Sequence, residues 1–224
     1  RVPYPGGERV EGYSNPTWTA LLAAFYLVRL DPWFMAKVLG FAFGAATLPM
    51  AWLLARRARP DAGDHGALIG PVLLGCSTQF VLWNTSGLEN SLFSFLVAAS
   101  TLRVTIEIQD GDRRPWSAVL AFLLSATRPD GVMYAGVVLL ARVVATLAYR
   151  QWAALGLWVL AFAVPYAGYN AWRFDYFGWW WPNTYYAKAK DVSPTGWNVQ
   201  GWKQIKEWAN QYLVVYTAPF LILA

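Results

Sequence analysis

Long apolar runs separated by short polar segments constrain the fold of this 224-residue chain more than any other feature. Six runs occupy residues 33–54, 67–83, 90–104, 116–127, 131–149 and 152–172. A helix needs about 20 residues to cross a bilayer. Only 14% of the residues are charged, whereas a soluble domain has roughly 25%. The pattern predicts an all-α fold, a polytopic bundle of transmembrane helices.

The predicted organisation follows from these runs. Residues 1–16 are the end of a first outer loop, and residues 17–32 form an interfacial or re-entrant helix, because their apolar stretch is too short to cross. Residues 33–172 hold six transmembrane helices joined by short loops. Residues 173–211 form an outer loop, and residues 212–224 begin a further span. Because the chain ends inside that hydrophobic run and begins at Arg1, we expect it to be a piece of a longer polypeptide.

Basic residues indicate the orientation. The Arg56–Arg59 cluster, Arg113 with Arg114, and Arg150 fall in alternate loops, which the positive-inside rule assigns to the cytoplasm. The five basic residues of the predicted outer loop, Arg173, Lys188, Lys190, Lys203 and Lys206, oppose this assignment. The orientation also requires that the short run 116–127 crosses, and we expect a broken or tilted crossing.

Four polar segments then share the outer side. They are EGYSNP at 11–16, SGLEN at 86–90, RPDG at 128–131 and PNTYYAK at 182–188. Charge in or near a bilayer is costly and is often functional. The shared side therefore predicts one site, in contact with membrane lipids.

The side chains of these segments limit the chemistry. Carboxylates can deprotonate a hydroxyl or bind a divalent cation such as Mg²⁺ or Mn²⁺, and basic groups can hold a phosphate. The candidate residues are Glu11, Tyr13, Asn15, Glu89, Arg128, Asp130, Asn183, Tyr185 and Lys188. A single His65 and a single Cys76 disfavour a catalytic triad, a zinc cluster and an intrachain disulfide. No motif supports nucleic-acid binding.

Each candidate also has a structural interpretation. Glu11 could be a loop carboxylate, Glu89 could cap the third span, and Arg128 with Asp130 could be an interfacial pair. Lys188 could be solvated or could bind phospholipid. The fourteen Trp residues fit aromatic belts as well as sugar stacking.

The order and spacing of EGYSNPTW at 11–18, GLE at 87–89, RPDG at 128–131 and PNTYYAK at 182–188 resemble the bacterial GT-C membrane glycosyltransferases. The resemblance is to the group of protein mannosyltransferases, aminoarabinose transferases and arabinofuranosyltransferases, and it runs over nearly the whole chain.

This resemblance implies transfer of a hexosyl or pentosyl group from a polyprenyl-phosphate donor to a hydroxyl of a glycan, lipid or protein. The implied location is the periplasmic or extracellular face of the bacterial cytoplasmic membrane. The family's base is a pair of acids in the first outer loop, which we expect upstream of Arg1, so this piece alone should be inactive. Glu11 is the nearest carboxylate present.

The resemblance would place donor phosphate against Arg128 and Lys188, and sugar against Asn183 and Tyr185. Glu89 and Asp130 would orient sugar hydroxyls or position Arg128, while Tyr13 and Asn15 would line the site. Two other functions stay open: a transporter or flippase for lipid-linked saccharides, and a non-catalytic membrane scaffold.

Overall fold

A computed structural model describes residues 10–180, 202–207 and 210. Of the described residues 83% are helical and none forms a strand, which confirms the all-α prediction. The helices are α1 (Pro16–Leu27), α2 (Pro32–Ala58), α3 (Gly63–Gly75), α4 (Thr78–Thr85), α5 (Asn90–Gln109), α6 (Trp116–Thr127), α7 (Gly131–Tyr149) and α8 (Trp152–Phe177), with a short 3₁₀ turn at Pro60–Ala62. Residues 202–207 are also helical and belong to a second compact unit.

Several helices have the length and composition of membrane spans. In the described part of the chain, α2, α5, α7 and α8 are long and apolar enough to cross, and α3 with α4 makes a fifth if this bent pair is one span. Helix α6 has only 12 residues. The helices indicate an integral membrane protein, and the count of six spans stays a prediction.

The second predicted span, residues 67–83, is broken. Helices α3 and α4 meet at a bend of 62°. Pro71 lies inside α3 and Gly75 ends it. Proline removes a backbone donor and glycine is a weak helix former, so both favour a break here.

Asn84 fixes α4 against α2. A Cβ on Gly40 would lie 2.5 Å from the Asn84 carbonyl oxygen, and one on Gly44 would lie 2.6 Å from Asn84 Cγ. These two glycines therefore form a notch that only a residue without a side chain can provide. Asn84 is buried in this notch, with 7% of its surface exposed.

Three predicted spans end earlier than the helices do. Helix α2 continues to Ala58, α5 to Gln109 and α8 to Phe177. Helix α8 stops where Gly178 adopts a left-handed φ of 74° and donates its N–H to the Phe174 carbonyl, a common helix end. Arg173 is consequently part of α8 and not the start of a loop.

Polar contacts define two ends of the bundle. At the Arg57 end, Arg57 of α2 lies 2.7 Å from Asp110, just after α5. Also at this end, Ser117 of α6 donates its N–H to Glu107 of α5 at 2.8 Å. At the opposite end, which we call the Arg128 end, Arg128 follows α6 and contacts Asn90 at the start of α5.

Helix α6 thus connects both ends of α5 although it is shorter. From Glu107 to Asn90, α5 rises about 26 Å, whereas α6 rises about 17 Å from Ser117 to Arg128, at about 1.5 Å per residue. The long Arg128 side chain spans part of the difference.

Helix α1 is held by one aromatic side chain. Trp18 is 4% exposed and packs with Leu92, Leu96 and Leu124 of α5 and α6. Tyr26 and Leu27, at the other end of α1, are exposed. This is the region predicted as an interfacial or re-entrant helix.

Candidate functional site

The turn between α6 and α7 places Arg128. Gly131 donates its N–H to the Arg128 carbonyl at 2.9 Å, and a Cβ at Gly131 would lie 2.3 Å from the Leu124 carbonyl oxygen. Only glycine allows α7 to begin this close to the last turn of α6. Pro129 also disfavours helical backbone at the residue before it, so α6 ends and Arg128 is extended.

Four neighbours surround the Arg128 guanidinium. Nε donates to Asp130 Oδ1 at 3.0 Å, and Nη1 donates to Asn90 Oδ1 at 2.9 Å and to Glu89 Oε1 at 3.4 Å. The guanidinium also lies 5.4 Å from the Phe93 ring centre. Nη2 has no hydrogen-bond partner among the described residues, and the side chain is 35% exposed. The Nε and Nη1 groups of the guanidinium are therefore fixed by hydrogen bonds, whereas Nη2 is available to a ligand.

Glu89 connects Arg128 to the N-terminal loop. Its Oε2 accepts a hydrogen bond from Asn15 Nδ2 at 2.9 Å, while its Oε1 faces Arg128. Glu89 is the N-cap residue of α5, but its carboxylate makes no capping hydrogen bond, so the interpretation of Glu89 as an anion favoured by the helix dipole stays open. Both oxygens are engaged in holding other side chains, which makes Glu89 a positioning group in this arrangement.

A cavity of about 750 Å³ opens beside Arg128. Its apolar wall includes Leu74, Phe80 and Trp83 from the broken α3–α4 pair, and its polar rim includes Arg128 and Asp130. Small-molecule sites usually have volumes of about 300–1,000 Å³. The cavity is therefore large enough for a sugar phosphate and has an apolar side as well as a polar one.

A second ion pair lies at the C-terminal end of α8. Arg173 Nε donates to Glu11 Oε2 at 2.8 Å, and both side chains are buried. Arg173 also donates to Asn170 Oδ1 at 3.0 Å and to the Trp180 carbonyl at 2.5 Å. The pair ties the N-terminal loop to α8. Since Glu11 and Asn15 are four residues apart, their Cα atoms lie within about 14 Å of each other, so this pair is also at the Arg128 end.

Burial changes the acidity of this second group. It raises the pKa of Glu11 above its usual 4.5, and the Arg173 charge only partly opposes the shift. Burial and the nearby Glu11 carboxylate also raise the pKa of Tyr13, whose ring meets Phe177 edge-on at 6.4 Å. Glu11 and Tyr13 are not among the residues that line the cavity.

The structure thus brings Asn15, Glu89, Arg128 and Asp130 into one cluster, with Glu11 and Tyr13 in a second group at the same end. These residues come from three of the four predicted segments. Asn183, Tyr185 and Lys188 of the fourth lie outside the described residues, so their convergence with the others stays a prediction. The roles assigned to all nine residues also stay predictions.

Sequence reasoning missed three participants. Asn90 accepts a hydrogen bond from Arg128, Phe93 lies against its guanidinium, and Arg173 neutralises Glu11. Asn90 belongs to the polar segment at 86–90 and Phe93 follows it by one helical turn, so helical spacing could have found both. Nothing in the sequence links Arg173 to a glutamate 162 positions away.

Among the described residues no group of three or more His, Cys, Asp or Glu side chains could hold a metal ion. The possible divalent cation remains a prediction. No family model matches this chain, and neither a curated protein nor a solved structure matches it.

Proposed function

We propose that this chain belongs to an integral membrane glycosyltransferase that moves a sugar from a polyprenyl-phosphate donor to a hydroxyl acceptor. The supporting observation is Arg128, which is held by Glu89, Asn90 and Asp130 at the rim of a cavity with an aromatic and aliphatic wall. A preorganised guanidinium suits a phosphate oxygen. The apolar wall suits the first units of a lipid tail.

The reaction breaks the bond between the anomeric carbon and the phosphate oxygen, and the bonding electrons leave with polyprenyl phosphate. The acceptor oxygen bonds to the anomeric carbon and loses its proton to a base. Arg128 would stabilise the charge of the departing phosphate. Glu89 and Asp130 would act through Arg128 by fixing its orientation. The resemblance assigns the base to a pair of acids in the family's first outer loop.

The proposed location is the outer face of the bacterial cytoplasmic membrane. At the Arg57 end, basic residues lie at the end of α2 (Arg56 and Arg57) and in the loop between α5 and α6 (Arg114). This favours a cytoplasmic position for that end under the positive-inside rule. The Arg128 end would then face the periplasm or the cell exterior. Acceptors would be glycans, lipids or proteins that carry a free hydroxyl there.

The test measures sugar transfer by the complete gene product in membranes, with a panel of polyprenyl-phosphate-linked sugars. We expect the Arg128→Ala variant to lose at least about 100-fold in transfer, in line with removal of one charge-stabilising group. Arg128→Lys should recover only part of the loss, because a lysine ammonium cannot reproduce the planar guanidinium contacts to several acceptors at once.

Arg57→Ala is the matched control. It removes the same residue type from the opposite end, where Arg57 pairs with Asp110, and it should leave transfer within about twofold of wild type. Expression and the unfolding temperature are measured for all three variants. Normal transfer by Arg128→Ala would remove Arg128 from the mechanism. If lipid-linked sugar crosses the membrane without release of polyprenyl phosphate, the protein is a transporter.

A further inference from the structure

A second set of buried polar side chains lies near the Arg57 end and has no role in the proposed transfer. Glu107 of α5 is 1% exposed and accepts hydrogen bonds from the Ser117 N–H at 2.8 Å and the Ser117 hydroxyl at 2.6 Å. Trp158 of α8 donates to the same hydroxyl at 2.8 Å. Arg103 lies 3.3 Å from Glu107. These side chains therefore supply hydrogen-bond and charge partners for one another.

Arg142 of α7 is buried in the same part of the bundle without such partners. It lies one helical turn after Val138, which packs in the same core cluster as Ala118 and Trp158. The residue is 1% exposed, and its Nε and Nη1 atoms are buried without any hydrogen-bond partner. Two strong donors on a permanent cation are thus unsatisfied inside the protein.

Thr146 is unsatisfied next to Arg142. It is fully buried, and its hydroxyl has no hydrogen-bond partner. By contrast, Thr101 and Thr105 donate to the carbonyl four residues earlier, at 2.8 Å each, which is the usual solution in a helix. Residues four apart share one helix face with Cβ atoms about 5–6 Å apart. The side chains of Arg142 and Thr146 therefore lie on the same face of α7, and both are buried.

No carboxylate in the described part of the chain neutralises Arg142. Glu107 and Asp112, towards the Arg57 end, both pair with Arg103. A buried unpaired charge is strongly unfavourable in a protein and more so at membrane depth. Water could satisfy the donors but would leave the positive charge uncompensated.

We propose that Arg142 and Thr146 bind a small inorganic monovalent anion, of which chloride is the physiological case. The donors are guanidinium N–H groups and a hydroxyl, the set that an acceptor without protons requires. The enclosure of Arg142 excludes a lipid headgroup. The anion neutralises the guanidinium and links α7 to the helices around it, so this site is structural and independent of the proposed transfer.

The test measures thermal unfolding of the complete purified protein, with tryptophan fluorescence as the signal. Sodium gluconate is replaced stepwise by sodium chloride or sodium bromide at constant ionic strength. We expect the unfolding temperature of the wild type to rise with halide and to saturate. Arg142→Gln should show no halide dependence. Thr146→Val keeps the shape but lacks the hydroxyl, and should raise the half-saturating concentration about tenfold.

Arg113→Gln is the matched control, because it removes one exposed arginine from the neighbouring loop and should respond to halide as the wild type does. Bromide anomalous scattering beside Arg142 would support the site directly. The proposal is overturned if the wild type responds equally to gluconate and halide, or if Arg142→Gln keeps the wild-type response. Should Arg142→Gln fail to fold, an unshifted half-saturation in Thr146→Val would overturn it equally.

Discussion

Replacement of Gly131 by alanine should damage both the stability and the site, because of where the added methyl group would lie. It would meet three backbone atoms: the Leu124 carbonyl oxygen at 2.3 Å, the Leu124 carbonyl carbon at 2.7 Å and Ser125 Cα at 2.9 Å. No side-chain rotation can relieve contacts with backbone, so α7 must move away from α6. Overpacking of this kind costs about 1–3 kcal/mol, and the backbone contacts favour the upper value.

The expected effect is large enough to measure. For a chain of this size about 1 kcal/mol corresponds to about 2–4 °C, so Gly131→Ala should lower the unfolding temperature by about 6–12 °C. Because the Gly131 N–H donates a hydrogen bond to the Arg128 carbonyl, displacement of this turn should also separate Arg128 from Asn90. We therefore expect at least tenfold slower sugar transfer, measured below the unfolding temperature.

Gly136→Ala provides the control on the same helix. A Cβ there meets nothing within 4 Å, and alanine is the better helix former by about 1 kcal/mol. Its unfolding temperature should equal or exceed that of the wild type. An unfolding temperature for Gly131→Ala within about 1 °C of Gly136→Ala would refute the tight turn on which the position of Arg128 depends.

Two other predictions concern buried polar groups. Ser117→Ala should lower the free energy of unfolding, measured by chemical denaturation, by about 2–4 kcal/mol, because Glu107 and Trp158 both lose a buried hydrogen-bond partner. The Ser125 hydroxyl donates only to a carbonyl of its own helix. Ser125→Ala should therefore lower the free energy of unfolding by less than half as much. Burial raises the pKa of Glu11, so its contribution to stability is fully present below pH 4.5 and is lost as the pH rises through the raised pKa. The wild type minus Glu11→Gln difference in unfolding temperature should therefore fall as the pH rises above 4.5. A difference that rises with pH would contradict the shift. Asp110, whose pKa Arg57 lowers, acts in the opposite direction but is common to both proteins.

Much of the fold follows from composition and periodicity. The apolar runs at 33–54, 90–104, 131–149 and 152–172 predicted α2, α5, α7 and α8, since burial in lipid selects such runs irrespective of their neighbours. The ends were less predictable. Helix α8 continues through Arg173, which pairs with Glu11, whereas a hydropathy pattern predicts that a span ends near an arginine.

The broken helix and the buried polar groups could not be predicted, for a related reason. The position of Asn84 against Gly40 and Gly44 depends on how closely α4 approaches α2. Likewise Arg142 is a single charge within the apolar run at 131–149, and only the packing shows that its side chain is buried. By contrast, the cluster of Asn15, Glu89, Arg128 and Asp130 was predictable because alternate loops of an antiparallel bundle meet at one end.

The charges of this cluster bear on what the proposed function still requires. The described cluster combines one basic side chain, Arg128, with two acidic ones, Glu89 and Asp130, so its formal charge is negative overall. A phosphate oxygen would approach Nη2 of Arg128 against the repulsion of both carboxylates, and attraction to one guanidinium does not offset that at similar distances. A donor phosphate therefore needs a second positive group at the cavity. Lys188 or a divalent cation would supply it, and Asp130, whose side chain is 46% exposed, could contribute a ligand oxygen to such a cation. Under the proposed function, Arg128 would therefore contribute to donor binding without being sufficient for it.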